Sequence, residues 1–403
     1  MTSTTFDYAV VGAGMMGAAA GRYLSATGGR VALIGPTEPP DWSAHAGVFA
    51  SHYDQGRITR ILDQDPVWAI LAKRSLAQYP TIEAQSGIRF HHPVGGWHVA
   101  PTKAPAVGQL EAVGRETGAT FNRYPEPALS EVSRPYAFQP GAAGVLEAGG
   151  AGYIQPRALV QAQVTMARQQ GAEIITETAG KLSKQGRLVE IETVEGQTYQ
   201  AHKVLIAAGG FTNHLLTRPL ELRVRPLTVL LAELDSAEVD RLQGMPTLIY
   251  HLPHPLNAIP NIYLLPPIQY PDGKFYLKLG GSRRPYTYLS THAERCAWFH
   301  TAGNPTEGEA LHEILLATLP DLKIETMQTK PCLTAYTPHN HPFIDVLEPD
   351  QLYVAAGGCG SAAKSSDAIG QLAARLLQAG RWDDDQLPGE AFRAIYRGEG
   401  ESL

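Results

Sequence analysis

Tyr8-Ala9-Val10-Val11-Gly12-Ala13-Gly14-Met15-Met16-Gly17 is the stretch that decides the reading of this chain. A short, wholly apolar run such as residues 8–11 predicts a strand buried on both faces of a parallel sheet. The three glycines then fit a G-x-G-x-x-G turn. Gly12 makes the tight bend, Gly14 leaves bare backbone for a pyrophosphate, and Gly17 lets the following helix pack against the strand. The pyrophosphate would sit on free N–H groups at the helix start, where Met15 and Met16 lie. Val31-Ala32-Leu33-Ile34 reads as the second strand. With 40 glycines in the chain, the flanking strands and helix carry the dinucleotide reading more than the glycines do. The alternative is a plain strand–turn–helix packing unit. The acid that holds a ribose at the end of the second strand is missing. Gly35 stands there, Pro36 follows, and Glu38 is the nearest carboxylate.

The chain has 403 residues, enough for about two or three domains or two interleaved ones. Its hydrophobic share of 44% and charged share of 18% are those of a globular enzyme. A net charge of −6 gives no basic surface for nucleic acid or an anionic membrane. The uncharged segment from Leu242 to Pro271 is studded with prolines and cannot be a spanning helix. The early first strand leaves no room for a signal peptide. Cys296, Cys332 and Cys359 form no C-x-x-C pair and no disulfide framework, so a reduced cytoplasm is expected and zinc is not. His91-His92, His251 with His254, and His339-Asn340-His341 lack a completing ligand at a usual spacing and read as loop histidines; no metal is expected. No G-x-S-x-G elbow and no G-x4-G-K-[ST] loop occurs.

Along the chain, Pro66 to Leu76 reads as a helix capped by Asp65. Arg57 and Arg60 share a face if their segment is helical. Phe90 to Val99 reads as strands with a bend at Gly95-Gly96, Glu111 to Ala119 as a helix, and Pro125 to Pro140 as loop with a short helix. Arg157 to Gln170 reads as a helix stopped by Gly171. Glu173–Glu177, Leu188–Thr193, Lys203–Ile206 and Leu352–Ala356 read as strands, the last two ending in glycines like the first. From Leu222 to Tyr288 strands alternate with Pro/Gly turns, Pro271-Asp272-Gly273-Lys274 being a hairpin signal. Thr306 to Leu319 and Ser366 to Gly380 read as helices. The fold expected is α/β, of two domains. A Rossmann-like dinucleotide-binding unit (1–85, 141–220 and 325–403) is interleaved with an antiparallel-sheet unit (86–140 and 221–324).

Four separated patches resemble the D-amino-acid oxidase superfamily of flavoproteins, and within it the branch of monomeric sarcosine oxidase and N-methyltryptophan oxidase. They are Gly12-x-Gly14-x-x-Gly17; Ser51-His52 with Arg57 and Arg60; Tyr263 followed across a hairpin by Lys278-Leu279-Gly280; and Cys332 through Phe343-Ile344-Asp345 to Gly357 and Lys364. The segment from Gly171 to Leu216 resembles the family's middle, with Gly209-Gly210-Phe211 at its closing turn.

The resemblance implies FAD, contacted by the glycine turn, Ser51, His52, Gly180, Gly209, Gly358, Gly360 and Lys364, and joined through a Cys332 thioether to the flavin 8α-methyl. A thiolate suits that role, and nearby cations favour it. If the flavin is so held, the missing ribose acid matters little, and Gly35→Glu should hardly change cofactor retention. The resemblance assigns the substrate carboxylate to Arg60 and Lys364, the flavin edge to Arg57, oxygen activation to Lys278, and the pocket wall to Tyr263. Two cations on one carboxylate, one a two-pronged arginine, is sound chemistry. Two departures stand out. The aromatic usual one or two residues after the cysteine is replaced by Leu333 and Thr334, with Tyr336 further on. The pocket histidine four residues after the lysine is Ser282.

The function implied is an FAD-dependent oxidase of a secondary amine or an N-alkyl or cyclic amino acid. It gives an imine and hydrogen peroxide, with amine and oxygen as its small-molecule partners, in a monomer or small homo-oligomer. Alternatives are an FAD-dependent dehydrogenase using another acceptor, a catalytically silent flavin-binding protein, and an NAD-dependent Rossmann dehydrogenase. The last gives the late cysteine and lysine patches no place.

Overall fold

The all-apolar runs of the sequence are the centre of the first sheet. In the computed structural model, which describes residues 5–398, Thr5–Val11 lies parallel to Val31–Ile34 on one side and to Thr198–Ile206 on the other. Leu352–Ala356 extends the parallel set beyond Thr198–Ile206. Glu173–Ile175, Leu188–Thr193, Ala179–Gln185 and Phe343–Glu348 complete eight strands. Alternate residues explain why these strands lack polar positions. Val10, Leu33 and Leu205 face the helices Met15–Ser25 and Ala362–Ala379, while Ala9, Val11, Ile34 and Ile206 are buried on the opposite face. Each large aliphatic so buried contributes about 1.5–3 kcal/mol.

The second sheet runs Thr326–Tyr336, Arg223–Leu234, Phe275–Gly281, Ile259–Gln269, Thr247–Leu256, Gly96–Pro101, Ala142–Glu147, Phe121–Tyr124. It is antiparallel except where Thr247–Leu256 meets Gly96–Pro101. The turn at Pro271–Lys274 joins two of its strands, and the helix Pro305–Thr318 covers its core. A small third sheet pairs Arg57–Thr59 and His91–His92 with Gly152–Ile154. Ala142–Glu147 and Thr326–Tyr336, placed by sequence with the dinucleotide unit, hydrogen-bond into the second sheet, so segment boundaries at 141 and 325 cut across it.

Three local expectations change. The helix capped by Asp65 runs from Pro66 to Ser86, through Pro80. The proline forfeits one backbone bond. Full burial of Tyr79 and Ile82 against Phe90, Leu159 and Met166 offsets that loss. Arg57–Thr59 is a strand, not a helix, so Arg57 and Arg60 do not share a helical face. The last helix begins at Ala362 rather than Ser366, which puts Lys364 in its first turn. A cation there opposes the helix dipole and needs a carboxylate partner.

Candidate active site

Both large sheets contribute to one cavity of about 950 Å³. Its nucleotide end is lined by Gly12, Gly14, Met15, Met16, Ser51, His52, Gly209, Gly358 and Gly360. Gly12 has φ +115°, and a Cβ there would overlap the Ala207 carbonyl oxygen. Gly17 stands behind the wall, where a Cβ would overlap the Gly12 carbonyl oxygen; its role is the close approach of helix to turn. Gly14 is the N-cap and supplies no side-chain cap, so the first helical N–H groups face the cavity without a protein side chain. His52 lies half-buried beside Gly14, with its Nδ1 shielded from solvent and lacking any hydrogen-bond partner. Burial, helped by the Arg157 and Arg57 charges, drives its pKa down to about 3, so the ring is neutral. Gly180 does not line the cavity; its neighbours Thr178, Ala179, Val194 and Glu195 do.

The absent ribose acid has a steric explanation. A Cβ on Gly35 would lie 2.6 Å from the Ala13 nitrogen, so the close approach of this strand end to the glycine turn requires glycine. The expectation that Gly35→Glu is nearly silent is therefore replaced: any side chain there displaces the turn. Glu38 is not a substitute, because Arg157 grips both its oxygens at 2.6 Å.

The other end is built on one face of the second sheet. Tyr263 pairs with Gly280, Gly280 with Val229, Lys278 with Leu231, and Leu227 with Cys332. Alternation along each strand then puts Tyr263, Lys278 and Cys332 on the same face. A Cβ on Gly280 would overlap the Tyr263 ring, so glycine there lets the ring lie across the strand. Tyr263 lines the cavity, and burial pushes its pKa up, keeping the hydroxyl protonated. Cys332 lies in the wall with Arg57 Nη2 3.8 Å from its sulfur. Tyr336, four residues on, shares that strand face and also lines the cavity.

Carboxylates that the sequence reading left unassigned hold the cations. Asp54 forms ion pairs with both Arg57 and Lys278 and accepts from the Tyr270 hydroxyl at 3.0 Å. Lys278 is buried, donates also to the Gly56 carbonyl at 2.9 Å, and does not itself line the cavity. Asp63 receives Lys364 Nζ at 2.8 Å and Arg60 Nη2 at 3.3 Å. Burial alone would raise the Asp63 carboxyl, but the Lys364 and Arg60 charges outweigh it and hold its pKa at about 2. Burial lowers Lys364 to about 8 against the pull of Asp63. Glu147 accepts from the backbone of Ile61 and Leu62, both at 2.8 Å, and so fixes the loop that carries Arg60 and Asp63.

His251 is not a loop histidine. It sits on Thr247–Leu256 and lines the cavity near Ser282, while His98 is buried on the adjacent strand. Burial and the Arg60 charge push both imidazoles down, so both are neutral. The sequence carried a signal for Asp54 and Asp63, since each lies three residues from an arginine already singled out. It carried none for the histidines, which reach the site only through strand pairing. Among the described residues no group of three or more His, Cys, Asp or Glu side chains could hold a metal, and no helix is long and apolar enough to cross a membrane.

The glycine cradle, the uncapped helix start and the unpartnered His52 Nδ1 fit a dinucleotide at one end of the cavity, and the second-sheet face leaves its other end for a small molecule. Monomeric sarcosine oxidase from Bacillus sp. (strain NS-129) is 27% identical over 400 residues, covering 95% of each chain. N-methyl-L-tryptophan oxidase from Yersinia pestis (strain Pestoides F) is 24% identical, covering 93% of this chain and 95% of the relative. The solved structure of NikD, an amino acid oxidase of nikkomycin biosynthesis, superposes with a TM-score of 0.77 over 98% of each chain at 18% identity. The family model described as DAO, FAD dependent oxidoreductase, matches residues 7–376, nearly the whole of both sheets. A cavity that begins at a dinucleotide turn and ends at a wall of paired charges is thus the site of a flavoenzyme, and the chain belongs to the DAO family of FAD-dependent oxidoreductases.

Proposed function

We propose that the protein oxidises a secondary amine or an N-alkyl or cyclic amino acid, giving an imine and hydrogen peroxide. The observation that carries this reading is the pair Arg60 and Lys364 converging on Asp63 at the cavity wall. The two cations share one directly paired carboxylate; Glu147 acts on both from further off, with its oxygens taken by the Ile61 and Leu62 N–H groups. Arg60 Nε is buried with no partner. A substrate carboxylate there takes the remaining N–H donors of the arginine and the lysine. Monomeric sarcosine oxidase and N-methyl-L-tryptophan oxidase, by their names, act on N-methyl amino acids, which fits such a carboxylate clamp.

A bound FAD would supply the redox chemistry, as the two-electron acceptor for a hydride equivalent from the carbon beside the nitrogen, with oxygen as the final oxidant. The glycine turn, His52, Gly209, Gly358 and Gly360 would hold it. Everything else is positioning by the chain. Arg60 and Lys364 fix the carboxylate, Tyr263 and the neutral His251 shape the wall without adding charge, and the imine leaves to hydrolyse in water. Cys332 would carry a thioether to the flavin; what supports this is its sulfur in the cavity wall, 3.8 Å from Arg57 Nη2. Acid precipitation of the purified protein tests this. Yellow that stays in the pellet, and moves to the supernatant in Cys332→Ser, is the expected result; colour released from the unaltered protein removes the link. A peroxide-coupled screen of N-methyl and cyclic amino acids tests the reaction itself.

Asp54 favours a second reading on one point. Its ion pair with Lys278 offsets the charge that would stabilise superoxide at the site of oxygen reduction, so electrons could pass to a different acceptor. Turnover with a redox dye far above that with oxygen at saturating amine would select the dehydrogenase.

A further inference from the structure

The arginines and lysine of the cavity described so far, Arg57, Arg60 and Lys364, are each paired with a carboxylate. Arg225 is not. It lies on Arg223–Leu234 opposite Thr334, one strand repeat from Leu227, which faces Cys332. Its Cζ is 3.5 Å from the centre of the Tyr286 ring and 4.2 Å from that of Tyr336, with Tyr288 at 5.8 Å. Its Nε is buried with no hydrogen-bond partner, and no carboxylate forms an ion pair with it among the described residues. Arg225, Tyr286, Thr334 and Tyr336 all line the cavity.

A guanidinium stacked on tyrosine rings is compensated only in part by their quadrupoles. Its edge N–H groups remain unused, and they are held in the planar fork that matches a carboxylate. The Tyr336 hydroxyl reaches to 3.7 Å from the position of a Cβ on Gly360, in the loop that leads to Lys364. The stacked arginine and the Lys364 loop therefore meet across one tyrosine, on the walls of one cavity.

We infer that Arg225 is a second anion-binding position, and that the substrate is an amino acid carrying a second carboxylate beyond its nitrogen. This rests on the reading of Arg60 and Lys364 as the clamp for the first carboxylate. Two separated positive positions select a diacid, because a monoacid leaves one of them desolvated and unfilled. Burial of the Nε makes that loss larger than at an exposed arginine.

The test measures binding by perturbation of the flavin absorption spectrum in the holoenzyme, with sulfur analogues that have no C–N bond to oxidise. The probes are (methylthio)acetate as the monoacid, and thiodiacetate and 3-(carboxymethylthio)propanoate as diacids of two lengths. At least one diacid should bind tenfold or more tighter than the monoacid. That ratio should collapse to about one in Arg225→Met and be intermediate in Arg225→Lys, which keeps the charge but not the fork. Flavin content and melting temperature are read on the same samples. Equal dissociation constants for all three probes in the unaltered protein overturn the proposal. A ratio unchanged in Arg225→Met overturns it too, as does loss of flavin in both variants, which would make Arg225 a cofactor contact. The oxidase reading fails separately, if no N-methylated mono- or diacid yields peroxide while the probes still bind.

Discussion

The two ends of the cavity solve the problem of holding charge in opposite ways. At the nucleotide end the chain withholds side chains. Gly12, Gly14 and Gly17 leave backbone donors at an uncapped helix start, and the neighbouring His52 is neutral. At the amine end the chain crowds in ionised side chains, each set pre-paired: Asp54 with Arg57 and Lys278, Asp63 with Arg60 and Lys364. Backbone N–H groups need no counter-ion while the site waits for its ligand, whereas buried cations do. The difference teaches where substitutions should hurt. Added volume is the hazard at the first end and lost charge at the second.

The largest effect is expected from volume. Gly17→Val drives a branched side chain into the Gly12 carbonyl, and should cost most of the flavin and about 4 kcal/mol or more of stability. The ratio of visible to ultraviolet absorbance and the melting temperature read both; full flavin at an unchanged melting temperature would break the account of this end. Next comes lost charge. Lys364→Met leaves Asp63 with Arg60 alone and should lower kcat/KM for carboxylated amines by about 10²-fold or more, about 3–5 kcal/mol. An uncharged amine of the same skeleton should lose less than tenfold, and equal losses would remove the carboxylate role.

A smaller effect follows from pH. The Lys364 pKa, lowered to about 8, makes the side chain charged below that pH and neutral above it. KM for an acidic substrate should therefore climb about tenfold per unit above pH 8, and the climb should vanish up to pH 10 in Lys364→Arg. Asp63, held at about 2, keeps its charge throughout, so its pairing weakens only as pH falls through that value and gives no acid limb between pH 4 and 8. The smallest change, about tenfold or less, is expected at Asp54→Asn. Burial and the Arg57 charge already push Lys278 down, so losing its carboxylate should favour the neutral amine and slow reoxidation by oxygen without moving KM for the amine, as stopped-flow mixing with oxygen would show. A faster reaction would mean that the lysine stays charged and that Asp54 only masks it.

Much of the first sheet was legible because a strand buried on both faces has to be apolar throughout, and Val10-Val11, Ile34 and Ile206 could hardly read otherwise. Helix ends were less legible. Pro80 argues locally for a stop, and only the burial of Tyr79 and Ile82 overrides it. The absence of an acid at Gly35 was plain in the sequence, but its cause, contact with Ala13, was not.

The sequence by itself determined the dinucleotide turn and, through four separated patches, the family, and it singled out Arg57, Arg60 and Lys364, because each motif is a short run whose residue types can be read without its distant partners. Only the tertiary structure decided how those cations are balanced and which residues join them. Asp54 meets Lys278 across more than two hundred residues, and Asp63 meets Lys364 across three hundred. His251 reaches the cavity wall by strand pairing, and Arg225 goes unpaired because the surfaces folded against it are tyrosine rings rather than carboxylates. Charge balance in a buried site is set by what the fold brings within a few ångströms, and no local stretch of sequence contains that.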